Sequence, residues 1–351
     1  LFYPERRRFF QEQSGLFDFL GGGGTRLFHL RRNGLAPDFT PVPILAGARL
    51  VGRAGPWDVG LLEMQTDDQA GSPSENFGVV RLRRPILNRN STAGIMATSL
   101  RGGGSENTGL GADASIRVRG DDYLTVKWMS SFDNADTAGT TITDRSQYYL
   151  RWDRRTGRGL QYQLNATRSG PSFNPGLGFL PRRDFTSANI VGNYYIFTDK
   201  HSYFRRIYPG ALAFSTFRNS DNALESGQYA FWVQWDTKAG GGGWVEPKWF
   251  RENVAQPFKI GGVIDVPSGS YDFADLQVVF SMPAGSKLRM DVDARGGTYF
   301  DGKRMQVIAT PTWNVSPYLE LGGEYQLTRL HFPIRDQAAT LQVGRLRLPS
   351  A

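Results

Sequence analysis

Apolar and polar residues alternate one by one along most of the chain. In the stretch KLRMDVDAR (287–295), charged residues occupy the odd positions and apolar residues the even ones. Successive side chains of a β-strand point to opposite faces, so this period of two predicts a strand with one apolar and one charged face. The same alternation recurs in 159–168, 304–313 and 318–329. The pattern therefore predicts an all-β chain.

The alternation and its interruptions place the individual strands. We predict strands near 27–35, 44–53, 57–66, 76–84, 92–101, 111–119, 123–131, 148–154, 159–168, 187–197, 203–217, 227–237, 244–251, 273–282, 287–295, 304–313, 318–329 and 340–348. The strand at 244–251 is inferred only because it restores a regular rhythm of connections.

The predicted connections alternate between long and short. Long ones fall at 36–43, 67–75, 102–110, 132–147, 169–186, 218–226, 252–272, 296–303 and 330–339, and shorter ones lie between them. Alternate connections of an up-and-down membrane barrel lie on opposite sides of the bilayer, with short turns facing the periplasm and long loops facing outward. The rhythm thus predicts an up-and-down antiparallel transmembrane β-barrel of roughly 16–18 strands, with the segment before residue 27 on the periplasmic side.

The composition fits this prediction and excludes several alternatives. The 351 residues include 42 Gly, 23 Phe, 14 Tyr and 8 Trp but no Cys, which excludes disulfides and thiolate metal sites. No apolar stretch approaches the roughly 20 residues of a spanning helix, whereas spanning strands need only about 9–11. The net charge of +8 is spread among strands rather than clustered, so we expect no nucleic-acid partner.

Along each strand, the charged residues that alternate with apolar ones point to the same face, and we call them the charged file. These files form the candidate site. In a transmembrane barrel these files would line the lumen, where charges of both signs pair across strands. The predicted lumen-lining residues are Arg49, Arg53, Arg81, Arg83, Arg117, Arg119, Lys127, Arg151, Asp153, Lys287, Arg289, Asp291, Asp293, Arg295, Glu320 and Glu324. Tryptophans near strand ends are predicted to form interfacial girdles, although packing in a soluble core would also explain them. These are Trp57, Trp128, Trp152, Trp232, Trp235 and Trp313.

The motifs of common enzymes are missing from the sequence. The histidines His29, His201 and His331 fall on different predicted elements, so neither a triad nor a zinc site is expected, and no cofactor is predicted. Acidic loops at 66–76 and 132–144 could hold calcium, but a solvated loop is the favoured interpretation. Asp291 and Asp293 could act as an acid and base pair, but lumen ion pairs are favoured.

The remaining sequence features are two glycine runs and an arginine-containing segment at residues 1–26. The glycine runs at 21–24 and 240–243 are interpreted as linkers or turns rather than phosphate loops. Residues 1–26, with arginines at 6, 7 and 8 among aromatic residues, could be either a plug that enters the lumen or a periplasmic lead-in.

Several stretches together resemble a family of bacterial outer-membrane barrels described as domain of unknown function 5916. They are ERRRFFQEQSGLFDF (5–19), LFHLRRNGL (27–35), PVPILAGARLVGRAGPWDVGLLEMQT (41–66), ENFGVVRLRR (75–84), GLGADASIRV (109–118) and NPGLGFLPRRDF (174–185), with weaker similarity at 266–273 and 290–333. The resemblance implies an outer-membrane barrel at 27–351, following an N-terminal domain similar to carbohydrate-binding module family 9. It implies no established activity. The chain lacks that domain and an aromatic terminal strand, so a truncated piece is expected.

Three functional hypotheses follow. The first is an outer-membrane barrel without chemistry of its own, which acts as a channel or as the membrane platform of a periplasmic carbohydrate-associated module. Its partners would be outer-membrane lipid and a carbohydrate or other small solute; the sequence sets no oligomeric state. The second is a barrel enzyme with a site in the outer loops, and the third is a soluble all-β binding protein.

Overall fold

The computed structural model describes residues 14–29, 42–68, 73–134, 139–316 and 319–347. Nineteen β-strands and three short 3-10 turns account for the regular structure of these residues. No helix in these ranges is long and apolar enough to cross a membrane. The strands are β1 (Ile44–Ala54), β2 (Trp57–Thr66), β3 (Glu75–Ile86), β4 (Asn88–Gly102), β5 (Ser105–Arg119), β6 (Asp122–Asp133), β7 (Ser146–Arg154), β8 (Gly159–Ser169), β9 (Phe185–Phe197), β10 (Phe204–Arg218), β11 (Leu224–Thr237), β12 (Gly242–Val254), β13 (Phe258–Ile260), β14 (Ile264–Val266), β15 (Gly269–Ser281), β16 (Leu288–Tyr299), β17 (Gly302–Ser316), β18 (Leu319–Phe332) and β19 (Gln337–Arg347).

The chain divides into two compact units. The first unit comprises Leu1–Asp153, Leu164–Ala188 and Arg218–Asn222, and the second comprises Arg154–Gln163, Asn189–Phe217 and Ala223–Ala351. In the first unit β1 to β6 pair consecutively and antiparallel. In the second unit β10 to β12 and β15 to β19 do the same, with β12 pairing directly with β15. The predicted all-β, up-and-down antiparallel fold is confirmed.

The strand predictions agree closely with the structure. Every predicted strand from 44–53 to 340–348 is present, and the strand inferred from rhythm alone at 244–251 is β12. The predicted first strand at 27–35 is not found at 27–29, and its other residues lie outside the described ranges. β13 and β14 were not predicted; they form their own two-stranded sheet within the predicted loop 252–272.

Four connections predicted to be long are short, and those predictions were wrong. β4 and β5 are joined by only Gly103 and Gly104, both with left-handed φ angles, and β16 and β17 by only Phe300 and Asp301. The connections 219–223 and 333–336 are likewise shorter than predicted. The antiparallel strand pairing extends further than predicted and includes polar residues, for example Arg101 with Glu106. Backbone pairing does not require apolar residues to alternate with polar ones, so the connections are shorter than the alternation predicted.

Long connections nevertheless lie on one edge of each unit. Antiparallel neighbours place the connections that follow even-numbered strands on the same edge, which we call the outer edge. It carries 67–74 and 134–145 in the first unit and 255–268 in the second, whereas the turns 55–56, 120–121 and 238–241 lie on the opposite edge.

Candidate functional site: a polar strand face and the segment packed on it

One face of each unit is a continuous apolar surface that the protein leaves exposed. In the first unit Leu50 pairs with Leu61, which pairs with Val80, and all three side chains are more than a third exposed. In the second unit the corresponding exposed residues include Phe231 and Leu276. Soluble proteins rarely expose contiguous apolar patches of this extent. The apolar face is therefore suited to lipid.

The opposite face carries the predicted lumen residues. Directly paired residues of antiparallel strands share a face, so register and alternation assign each side chain. The residues on this polar face are Arg49, Arg53, Arg81, Arg83, Arg117, Lys127, Arg151, Asp153, Arg289, Asp291, Asp293, Arg295, Glu320 and Glu324. Arg119 lies beyond a bulge at the end of β5, and Lys287 lies in the turn between β15 and β16. That this face lines a water-filled lumen stays a prediction.

Residues 14–29, which we call the docked segment, pack on the polar face of the first unit. Its side chains Phe17, Phe19 and Leu27 are at most 3% exposed and belong to one cluster with strand residues such as Met96. A Cβ at Gly111 of β5 would lie 2.7 Å from Leu27 Cδ2 and 2.9 Å from Phe19 Cζ. Glycine on β5 thus lets the segment approach the strand backbone closely.

Hydrogen bonds hold the backbone of the docked segment. The buried Gln147 accepts a hydrogen bond from the Gly22 N–H (3.1 Å) and donates one to Thr25 Oγ1 (3.0 Å). Lys127 Nζ donates to the Leu20 carbonyl oxygen at 2.9 Å. The glycine run at 21–24 is a tightly packed turn, which confirms the turn interpretation.

Two cations approach the ring of Phe19. The Arg81 guanidinium lies 5.1 Å and Lys127 Nζ 5.5 Å from the ring centroid. Arg81 is almost fully buried and makes a two-pronged ion pair with Asp113, at 2.6 and 3.1 Å. Such a charge is tolerated away from water because it is paired and hydrogen-bonded. The arginines at 6–8, which belong to the segment interpreted as either a plug or a periplasmic lead-in, lie outside the described residues.

A substitution within the docked segment tests this packing. Gly22→Ala would force a Cβ into the Thr167 side chain, whereas a Cβ at Gly15 meets nothing within 4 Å. We expect Gly22→Ala to weaken docking by about 1–3 kcal/mol, a typical overpacking cost, and Gly15→Ala to leave it nearly unchanged. Amide hydrogen exchange of residues 14–29 measures the difference, and equal exchange in both variants would contradict the docking.

Carboxylates on the polar face of the second unit are paired. Asp275, almost fully buried, contacts Arg295 at 2.6 Å and Arg304 at 2.5 Å. Asp291 forms an ion pair with Arg289 at 3.5 Å, as predicted. Asp293 instead accepts two hydrogen bonds from Gln277 Nε2, both 2.9 Å. Because Asp291 and Asp293 have these partners, a structural role is favoured over a role as a catalytic acid and base.

Trp232 departs from the predicted interfacial girdle. It pairs with Gly210 on the polar face, and its indole N–H donates to Asn193 Oδ1 at 3.0 Å. Gly210 leaves room for the indole, since a Cβ there would overlap the ring. Trp57 and Trp313 lie on the apolar face and are more than a third exposed, so for the other predicted tryptophans a girdle stays a prediction.

The loops supply no evident metal site in the described residues. Hydrogen bonds from the Thr141 hydroxyl and N–H to Asp144 Oδ2 lower the pKa of this carboxyl group. In the β13–β14 hairpin, the hydrogen-bonded Lys259 lowers the pKa of Asp265. No group of three or more potential His, Cys, Asp or Glu ligands occurs in the ranges that the structure describes. Residues 69–72 and 135–138 of the predicted acidic loops lie outside those ranges.

Comparisons with known proteins give a limited result. No protein-family model matches the chain, and no curated protein matches it. Among solved structures, OccK9 (OpdG) of Pseudomonas aeruginosa is 11% identical with a TM-score of 0.43, covering 87% of this chain and 95% of that one. Pseudomonas aeruginosa OpdO is 12% identical, with a TM-score of 0.43 and coverage of 83% and 88%. The structure of OpdK with vanillate, from the same organism, is 10% identical, with a TM-score of 0.43 and coverage of 83% and 90%.

The class of protein follows from the chain's own strands. Their antiparallel up-and-down pairing, their lengths of mostly 9–15 residues and the exposed apolar face opposite a polar one are properties of a membrane-spanning β-barrel. The described strands thus have the pairing, lengths and two-faced character of strands in an up-and-down membrane β-barrel.

Proposed function

We propose that the chain forms a channel of the outer membrane for small polar solutes. The observation that carries this proposal is the exposed apolar face, which lipid would cover, opposite a face rich in charged and amide side chains. In a membrane barrel the second face surrounds an aqueous or plugged interior. Nothing in this role requires chemistry by the chain itself.

The docked segment would act as a plug. It covers part of the polar face of the first unit through Phe17, Phe19 and Leu27, and such coverage would narrow the lumen. The predicted periplasmic position of residues 1–26 depended on a strand at 27–35, which is not found at 27–29, so entry from the periplasmic side is part of the proposal. The same barrel would also serve as the membrane platform of a periplasmic carbohydrate-associated module, as the family resemblance implies.

Refolding tests the membrane barrel. The chain is expected to fold in detergent into a species that migrates differently on a gel before and after boiling, because a closed ladder of backbone hydrogen bonds resists detergent until heated. The alternative of a soluble binding protein predicts a chain that stays dispersed in buffer without detergent and shows no such shift. That outcome would contradict the channel.

Anion preference is the expected selectivity. On β1 to β3 the polar face carries Arg49, Arg53 and Arg83 near the carboxylate of Asp58, which pairs with Arg53 at 2.8 Å and with Arg83 at 3.2 Å. Low-dielectric walls focus the field of such fixed charges. Reversal potentials across planar bilayers with a salt gradient should show anion preference, and a cation preference would contradict this charge assignment.

A further inference from the structure

A group of basic side chains lies at the outer edge of the apolar face in the second unit. We call Lys303, Arg329 and His331 the rim patch. Lys303 on β17 pairs directly with His331 on β18, and Arg329 pairs with Met305. All three basic side chains are exposed, and with Gly296, Thr298 and Met305 they line a groove of about 500 Å³.

The rim patch continues the apolar file of its own strands. On β17 the exposed side chains Trp313 and Met305 lead along the apolar face to Lys303, and on β18 Tyr325 leads to Arg329. Beyond the patch the strands end at the turn 300–301 and at 333–336, both on the outer edge. The patch thus lies where the apolar surface gives way to polar surroundings, which is the level of lipid headgroups in a membrane-spanning barrel.

The rim patch lacks the acidic partners that neighbouring basic residues have. Arg251 pairs with Asp272 at 2.7 Å on the same face, and Arg335 pairs with Asp301. Within the described residues, the side chains of Lys303, Arg329 and His331 make no ion pair or hydrogen bond. The neighbouring positive charges of Lys303 and Arg329 repel one another, so an anion that contacts the rim patch is favoured.

We propose that the rim patch binds the phosphorylated headgroup of a glycolipid in the outer leaflet, with the acyl chains lying along the apolar file below it. This inference rests on the proposed membrane-spanning function. Arginine binds phosphate through two parallel hydrogen bonds and lysine as a compact charge. Basic side chains beside a spanning segment are known to attract anionic lipids, with each cation strengthening binding about fivefold. The groove supplies a concave seat, and Met305 supplies an apolar side for a chain.

Binding of a bis-phosphorylated disaccharide lipid to the intact, refolded chain tests the proposal. The triple variant Lys303→Gln, Arg329→Gln, His331→Gln should bind this lipid about 25-fold more weakly, since two full positive charges are removed. The control is the double variant Arg251→Gln, Asp272→Asn, which removes an ion pair from the same face without changing net charge and should bind as the unchanged protein does. Native mass spectrometry in detergent with titrated lipid measures all three.

The following outcomes would overturn the proposal. Equal binding by the triple variant, or equal binding of the dephosphorylated lipid, would exclude phosphate recognition at the patch. Displacement of the lipid by inorganic phosphate at comparable concentration would show a simple anion site and not a lipid site. If the unchanged chain lacks heat-modifiable folding in detergent, the proposed channel fails first; if it folds and inserts but shows no lipid preference, only the rim patch assignment fails.

Discussion

Replacing Phe19 by alanine is expected to release the docked segment from the strands and to increase conductance. Phe19 is 1% exposed and lies within reach of two cations, Arg81 and Lys127. Removal of a buried aromatic side chain costs about 3–5 kcal/mol in typical cores, and loss of the ring–cation contacts adds to it. Because the docked segment covers the polar face, its release should open the lumen. Single-channel recording and trypsin cleavage after Arg26 measure the effect.

Leu20 provides the matched control for this substitution. It is the next residue along the chain, its side chain is 40% exposed, and its contact with Lys127 uses the backbone carbonyl. Leu20→Ala should therefore leave both conductance and protease protection close to those of the unchanged protein. If Phe19→Ala behaves like Leu20→Ala, the docked segment does not narrow a channel.

Replacing Asp275 by alanine is expected to have the second large effect, on stability. Its carboxylate is 1% exposed and pairs with Arg295 and Arg304. Removal of one member of a buried charge network costs about 3–5 kcal/mol, because the remaining charges lose their partner. The two guanidinium groups are partly exposed, so we expect the lower end of that range. The temperature at which the folded species is lost on a detergent gel measures the change.

Asp272 lies three residues away on β15 and is the natural comparison. It pairs with Arg251 on the other face of the strand, and both side chains are more than half exposed. Water and salt screen exposed ion pairs, which therefore contribute little to stability, so Asp272→Ala should change the unfolding temperature little. Equal destabilisation by the two substitutions would contradict the assignment of a buried network at Asp275.

The strands were predictable because their signal is local. Alternation is read within each strand, and the rhythm of connections was strong enough to place β12, whose own sequence was ambiguous. The same rule would have assigned Trp232 correctly, since Tyr229, Phe231, Val233 and Trp235 form the alternating apolar file and Trp232 falls between them. The face on which a tryptophan lies is predicted better by its place in the alternation of apolar and polar residues than by its closeness to a strand end.

The β13–β14 hairpin was missed because each strand has only three residues. Such a length is too short to show a period of two. A signal was nevertheless present, since Gly261 and Gly262 stand between apolar residues and both adopt left-handed φ angles. Two glycines in this position favour a tight hairpin turn.

The docked segment could not be derived from the sequence. Its contacts join residues such as Gly22 and Gln147, which are 125 positions apart, and no periodic pattern links them. The glycines Gly109 and Gly111 on the polar face of β5 were the available sign, because glycine inside a strand often marks the close approach of another segment. They indicate that something packs there but not what does.

Fluorescent labels on adjacent residues of β15 would test most directly whether the apolar face meets lipid. The chain has no cysteine, so Leu276→Cys and Gln277→Cys each provide a single site, on the apolar and the polar face respectively. In bilayers containing brominated lipid, the label at position 276 should be strongly quenched, and the label at 277 should be quenched by aqueous iodide instead. Quenching of both labels by iodide alone would contradict a membrane-spanning strand and, with it, the proposed channel.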